Sequence, residues 1–397
     1  MANPSNKKTP QPDHPIPAET HLQPGVPIPA ETPLQPGIPI PAETPLQLGY
    51  HFPAEWEPHA STWLSYPHNE TSWPGKIHTI FPFYHEFIKH LSHGEKVNIN
   101  VVDESMKKRV DEELQKAGLS GNLYALHIQP TNDAWCRDHG PAFVVNRNIG
   151  SRAVVSWLYN GWGGKYPAEL DTLIPSQVAA LLGLPVFYPG IVMEGGSIDV
   201  NGKGTLITTT SCLLHPNRNP DFSQSQIEEF LLHYYGVEKV LWLGDGIEGD
   251  DTDGHVDDLT RFVNENTVIT MVEPNRADAN HEPLKKNLAT LKKMRMADGK
   301  QMNIVELPMP EPLYYEGQRL PASYANFYMA NAGVMVPVYN CKQDDVALDI
   351  LSGCIKDRPV IGIDSTEIIW GLGSWHCLSQ QEPMPLLSSS VNSGQQK

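Results

Sequence analysis

A chain of 397 residues with 40% hydrophobic content can bury a sizeable core, as one large domain or two average ones. Its net charge of −17 argues against binding to phosphate backbones and for attraction of cationic small molecules. Five cysteines without a CxxC pair fit a reducing compartment, the start does not resemble a signal peptide, and no run reaches the roughly 18 apolar residues of a membrane span, so a cytoplasmic protein is expected.

The first fifty residues hold about a third of the 36 prolines and a repeat, in which Pro15–Val26 recurs from Pro27 and again from Pro39. Proline removes backbone donors and each copy carries little apolar surface. Residues 1–48 are therefore expected to form a disordered, polyproline-II-like extension. The catalytic domain is expected over residues 49–384. Helical periodicity appears at Thr79–Ser92, Glu104–Ala117, Asp171–Leu182, Phe222–Tyr235, Glu282–Met296 and Asp344–Leu351. β-rich runs lie at Val97–Val102, Ala142–Asn146, Ala153–Trp157, Thr205–Thr210, Val240–Leu243, Thr267–Val272, Ile304–Leu307, Val334–Val338 and Val360–Ile363. This alternation argues an α/β fold. Residues 385–397, rich in Ser, Asn and Gln, are expected to be disordered. Gly161–Gly164 and Gly371–Gly373 lack the third glycine of a dinucleotide fingerprint and there is no P-loop, so no nucleotide cofactor is expected.

Three polar stretches stand out: Asn132–Asp138, Asp253–Asp257 and Gly371–Cys377. They offer a thiol, an imidazole, two well-separated carboxylates and an aromatic ring, a set suited to attack on a flat cationic carbon such as a guanidinium. Cys377 follows a glycine-rich turn that lets the backbone approach a substrate, and its thiol, near 8.5 when free, needs help from a cation or base. Cys212, Cys341 and Cys354 read as buried structural thiols. An extended backbone around Val256 would send His255 and Asp257 to one face, placing a proton carrier beside a carboxylate. The acidic run fails as a calcium loop, because Gly254 at the sixth position puts Gly249 first and Thr260 twelfth. No paired His or Cys set points to a metal. Asp138 supplies the second carboxylate, and two carboxylates each accepting paired N–H donors would fix a guanidinium's plane. Trp135 reads either as core packing or as a ring over a planar cation, a contact worth roughly 0.5–2 kcal/mol. Arg137 reads as a structural ion pair. Glu194 reads either as a solvated acid or as a group holding a histidine from behind.

Together with Pro53–His59, Asn132–Pro141, Glu194–Ser197, Cys212–Pro220, Pro321–Tyr328 and His376–Gln381, these residues resemble the agmatine deiminase family, in the wider group of Porphyromonas-type peptidylarginine deiminases. The resemblance runs from about Tyr50 to Pro383. It implies the pentein fold, an α/β propeller of five ββαβ-type modules with pseudo-fivefold symmetry around a central site. By motif it implies Cys377 as nucleophile, His255 as general acid–base, Asp138 and Asp257 as guanidinium ligands, Trp135 as pocket wall and Glu194 as partner of the histidine. It implies no metal and no organic cofactor, and relatives suggest a homodimer. The implied reaction converts agmatine and water to N-carbamoylputrescine and ammonia through a covalent thiouronium on the cysteine. Peptidylarginine deimination, amidino transfer and guanidine binding without catalysis are the alternatives. The chain departs from the family's Gly-Gly-Gly-Asn run with Gly371-Leu-Gly-Ser374, followed by Trp375. Those positions bear on the substrate tail, whose ammonium is expected to meet Asp251 or Asp253.

Overall fold

The computed structural model describes residues 43–387. The repeat copies before Glu43 and the last ten residues, both expected to be disordered, lie outside the described residues. The packed chain already begins before residue 49: Thr44 is buried, and Leu46 donates its N–H to the His233 carbonyl at 3.0 Å.

Local signals set the helix limits. Ser223 and Gln226 form a capping box at the start of Gln224–Tyr235, and Gly236 ends that helix in the left-handed conformation. Asp103 caps Glu104–Lys116 by accepting the Met106 N–H. The helix expected over Glu282–Met296 spans only His281–Leu291. Met296 reaches the core from a turn instead, so the apolar spacing outruns the helix.

Among the described residues, five sheets share one order: a leading strand, an antiparallel partner, a helix, then a strand parallel to that partner. Four are consecutive in the chain. They are Ala142–Asn146, Ser151–Val155 and Val186–Phe187; then Ile198–Val200, Thr205–Thr209 and Lys239–Leu243; then Thr260–Asn264, Thr267–Val272 and Asn303–Pro308; then Tyr328–Ala330, Gly333–Val338 and Val360–Asp364. The remaining sheet joins the two ends of the domain. Its leading strand, Ser379–Pro383, runs antiparallel to His59–Ser65, which is followed in parallel by Lys96–Val101 and Tyr124–Ile128. A separate hairpin pairs Tyr314–Tyr315 with Gln318–Arg319. The chain is thus an α/β fold with mixed sheets. Among the described residues no helix is long and apolar enough to cross a membrane.

The sequence reading finds only one of the five leading strands, Ala142–Asn146. Two of the others, Ile198–Val200 and Tyr328–Ala330, have three residues each, and three of the four bury Asp199, Arg261, Gln380, Gln381 or Glu382, which breaks the apolar alternation that marks a strand. Several of these polar groups are satisfied around Glu55, while Glu382 accepts from Ser61, Trp63 and Arg152. One Glu55 oxygen accepts from Arg261 Nη2 (2.9 Å) and the Met329 N–H (2.8 Å); the other accepts from Arg137 Nη2 (3.1 Å) and His376 Nε2 (2.8 Å). Arg261 also donates to Asp199 Oδ1 and to the carbonyls of Ala325 and Phe327. Glu55 is therefore the plug on which segments of four sheets meet, with Asp199 of the fifth joined to it through Arg261. Arg137 makes the structural ion pair read from the sequence.

Candidate active site

Each leading strand is fed by a loop, and the five loops bring polar side chains to one place. Trp135 and Asp138 precede Ala142–Asn146, Glu194 and Gly196 precede Ile198–Val200, and His255 and Asp257 precede Thr260–Asn264. Asn326 precedes Tyr328–Ala330, and Cys377 precedes Ser379–Pro383.

Val256–Asp258 is a 3₁₀ turn, not the extended segment expected, because the Leu259 N–H closes back on the Val256 carbonyl. His255 and Asp257 converge nonetheless, over Gly196. A Cβ there would lie 2.6 Å from His255 Nδ1, 2.8 Å from Asp138 Oδ1 and 2.9 Å from Asp257 Oδ2, so only glycine fits. Asp138 accepts the Gly196 N–H at 2.9 Å and the Trp162 indole N–H at 3.0 Å. Asp257 Oδ2 accepts from His376 Nδ1 at 2.6 Å and lies 3.6 Å from Cys377 Sγ, while its Oδ1 is buried without a partner. His255 sits between two acids, with Nδ1 3.6 Å from Asp138 and Nε2 3.9 Å from Glu194, and neither nitrogen is hydrogen-bonded. Glu194 is itself anchored by Arg218 Nε at 2.6 Å, so it is not a solvated acid.

The charges compete. Burial pushes the Cys377 thiol well above its ordinary value, Asp257, Asp258 and Asp138 push the same way, and the Asn326 N–H pulls down. Burial works against a charged His255, but Asp138, Asp257, Glu194 and Asp250 outweigh it and raise its pKa. Burial raises Asp138, against the pull of His255. Burial also opposes the Asp257 carboxylate, yet the hydrogen bond and charge of His376 prevail and hold its pKa low.

A cleft of about 210 Å³ opens onto Cys377 and Asp138. Trp135 and Trp162 line it, as do Asp133 and Asp251, and among the described residues no Lys, Arg or His does. Trp135 stacks on Trp73 at 5.3 Å, as core packing requires, and it also lines the cleft. The glycines before Cys377 serve that ring more than a substrate, since a Cβ at Gly373 would come within 2.6 Å of the Trp135 indole. Of the two acids considered for a substrate tail, Asp251 is on the cleft wall, near Lys165 Nζ at 3.4 Å. Asp253 turns away to Arg218 (2.7 Å) and Asn217 (3.1 Å).

Three residues escape the sequence reading. Trp162, held at φ 52 in the glycine cluster that resembles a nucleotide loop, orients Asp138. His376 ties Asp257 to Glu55. Asn326 contacts Cys377 from within the Pro321–Tyr328 motif, which offered a match but no role. Glu194, Cys212 and His255 also offer ligand atoms within 4.8 Å of one another. Their chemistry does not suit an ion: Glu194 already holds a guanidinium, and burial keeps the Cys212 thiol protonated.

A sequence model of the Porphyromonas-type peptidyl-arginine deiminases matches residues 51–383. The chain belongs to that family. It is 34% identical over 363 residues to the agmatine deiminase of Medicago truncatula, covering 83% of this chain and 95% of the relative. Its fold matches the agmatine deiminase of Enterococcus faecalis with a TM-score of 0.81 and 31% identity, over 87% of this chain and 99% of that one. A C. jejuni agmatine deiminase solved with substrate bound matches with a TM-score of 0.77 and 32% identity, over 85% and 97%.

Proposed function

We propose that this chain is a guanidine deiminase acting on agmatine, through Cys377, His255, Asp138, Asp257 and Glu194. The observation that carries the reading is a cleft with a buried thiol, three aspartates and, among the described residues, no cationic side chain on its walls. Agmatine is cationic at both ends, so acids along its whole path attract it. Free arginine would bring a carboxylate past the same acids. The relatives that bear the name agmatine deiminase support this substrate.

The guanidinium lies against Trp135 and donates to Asp138 and to the open oxygen of Asp257. It supplies the positive charge that the thiol lacks, so the thiol gives up its proton to water and the thiolate forms with substrate in place. Sulfur then attacks the guanidinium carbon. His255, kept protonated by its acids, gives its proton to the departing nitrogen, and ammonia leaves. A thiouronium on Cys377 remains. Water, losing a proton to His255, adds to that carbon, the C–S bond breaks, and N-carbamoylputrescine is released. Glu194 holds the imidazole from behind, and Asp251 meets the distal ammonium.

In this reading the five sheets are the modules of a pseudo-fivefold α/β propeller, which their shared strand order supports. Five free thiols support a reducing compartment such as the cytoplasm.

The test is ammonia release by the full chain from agmatine, arginine and an arginine-containing peptide. Agmatine is expected to turn over fastest, and Asp251→Asn to raise its KM about fivefold with kcat little changed. Faster release from the peptide overturns the substrate, and no release from any guanidine favours a binding protein.

A further inference from the structure

We propose that Asn326 is a catalytic residue of this site, whose carboxamide N–H holds the sulfur of Cys377 in its thiolate form. The proposal rests on the reading of Cys377 as nucleophile.

Asn326 is buried, and it touches the His376–Cys377 pair in three ways. Its Nδ2 lies 3.0 Å from Cys377 Sγ, its Oδ1 accepts the Cys377 N–H at 3.3 Å, and its backbone carbonyl accepts the His376 N–H at 3.1 Å. The second Nδ2 proton goes to Asp258 Oδ1 at 3.0 Å. Both amide donors and the amide oxygen are thus in use. These bonds also fix which way the amide faces. Turned over, it would set N–H against the Cys377 N–H and leave oxygen against sulfur.

The surroundings explain why such a donor is needed. The charged and titratable groups around the sulfur include Asp257, Asp258, Asp138 and the Tyr339 phenol, with His376 and His255 on the far sides of Asp257 and Asp138. The acids oppose a second negative charge, and Asn326 is the neighbour that favours it. A guanidinium substrate assists only while bound and cationic. Once the carbon has been transferred to sulfur and water has attacked, the departing thiolate must form beside the same aspartates, where a fixed N–H donor stabilises it.

The experiment is the pH profile of Cys377 alkylation by iodoacetamide, a neutral reagent, in the full-length protein without substrate. Peptide mapping identifies the alkylated residue, and ammonia release from agmatine is followed alongside. Two variants are compared. Asn326→Ala removes the donor. Asn326→Asp keeps an oxygen for the Cys377 N–H and replaces the donor at nearly constant volume. Both are expected to move the alkylation profile upward by about one pH unit or more and to lower kcat by about 10- to 100-fold, with KM within about threefold. A residue that merely shaped the loop would change the rates without moving the profile. A wild-type profile in either folded variant overturns the proposal. Alkylation of wild-type Cys377 that leaves turnover intact overturns the nucleophile reading, and this one with it.

Discussion

Glu55 and Asp257 are both buried carboxylates bonded to His376, yet their surroundings differ. Glu55 has four donors on its two oxygens, from Arg261, Arg137, His376 and the backbone of Met329, and its pKa is held well below the carboxylate range, the cations and His376 outweighing burial. Asp257 has one oxygen occupied and one bare, beside an imidazole with both nitrogens unbonded. A folded chain leaves few buried polar atoms unpaired, and these lie beside Cys377 and Asp138, which line the cleft. The first cluster holds the sheets together. The second is left incomplete, as the proposed guanidinium site requires.

That contrast breaks most visibly at Cys377. Cys377→Ala is expected to lower turnover at least about 10⁴-fold while agmatine binding stays measurable and the melting temperature does not fall. Near-normal ammonia release would remove the distinction. At the plug the pattern reverses, and Glu55→Gln, which strips one partner from two buried arginines, should cost about 3–5 kcal/mol in chemical denaturation. A loss under about 1 kcal/mol would mean that the leading strands are held elsewhere.

His139 offers a further test, because its ring nitrogens are also buried and without hydrogen bonds among the described residues. Burial pushes its pKa from 6.5 down to about 4, so the folded protein holds it neutral. The unfolded chain takes up a proton as pH falls below 6.5 and the folded chain does not until about 4, so stability is lost across that window. Between pH 7 and 5 the loss is about 2 kcal/mol, and His139→Gln should flatten it in denaturation curves at the two pH values. An unchanged slope would assign the acid sensitivity to another group. The smallest effect concerns the extension. Deleting residues 1–42 should leave activity and stability unchanged, whereas deleting 1–48 also removes buried Thr44 and the Leu46–His233 bond, at about 1 kcal/mol.

Helices and outer strands were legible because their apolar period survives in the sequence, as in Thr267–Val272 and Glu104–Lys116. The leading strands Thr260–Asn264 and Ser379–Pro383 were not, because polar side chains such as Arg261 and Gln381 are buried in them. Their function hides their period. Cys377, His255, Asp138, Asp257 and Glu194 stood out as chemistry-bearing residues in motifs, and the loops bring them together. Asn326 and Trp162 act on those residues and have no signature of their own. A lone Asn in a Ser-Tyr-Ala-Asn run and a Trp among glycines each have many ordinary explanations.

The most direct test of the account is an acid quench of the full-length protein during agmatine turnover, followed by peptide mass analysis. The account predicts a substrate-derived amidino group on Cys377 that disappears when agmatine is exhausted. Steady turnover with Cys377 unmodified, or an adduct on another residue, would contradict it.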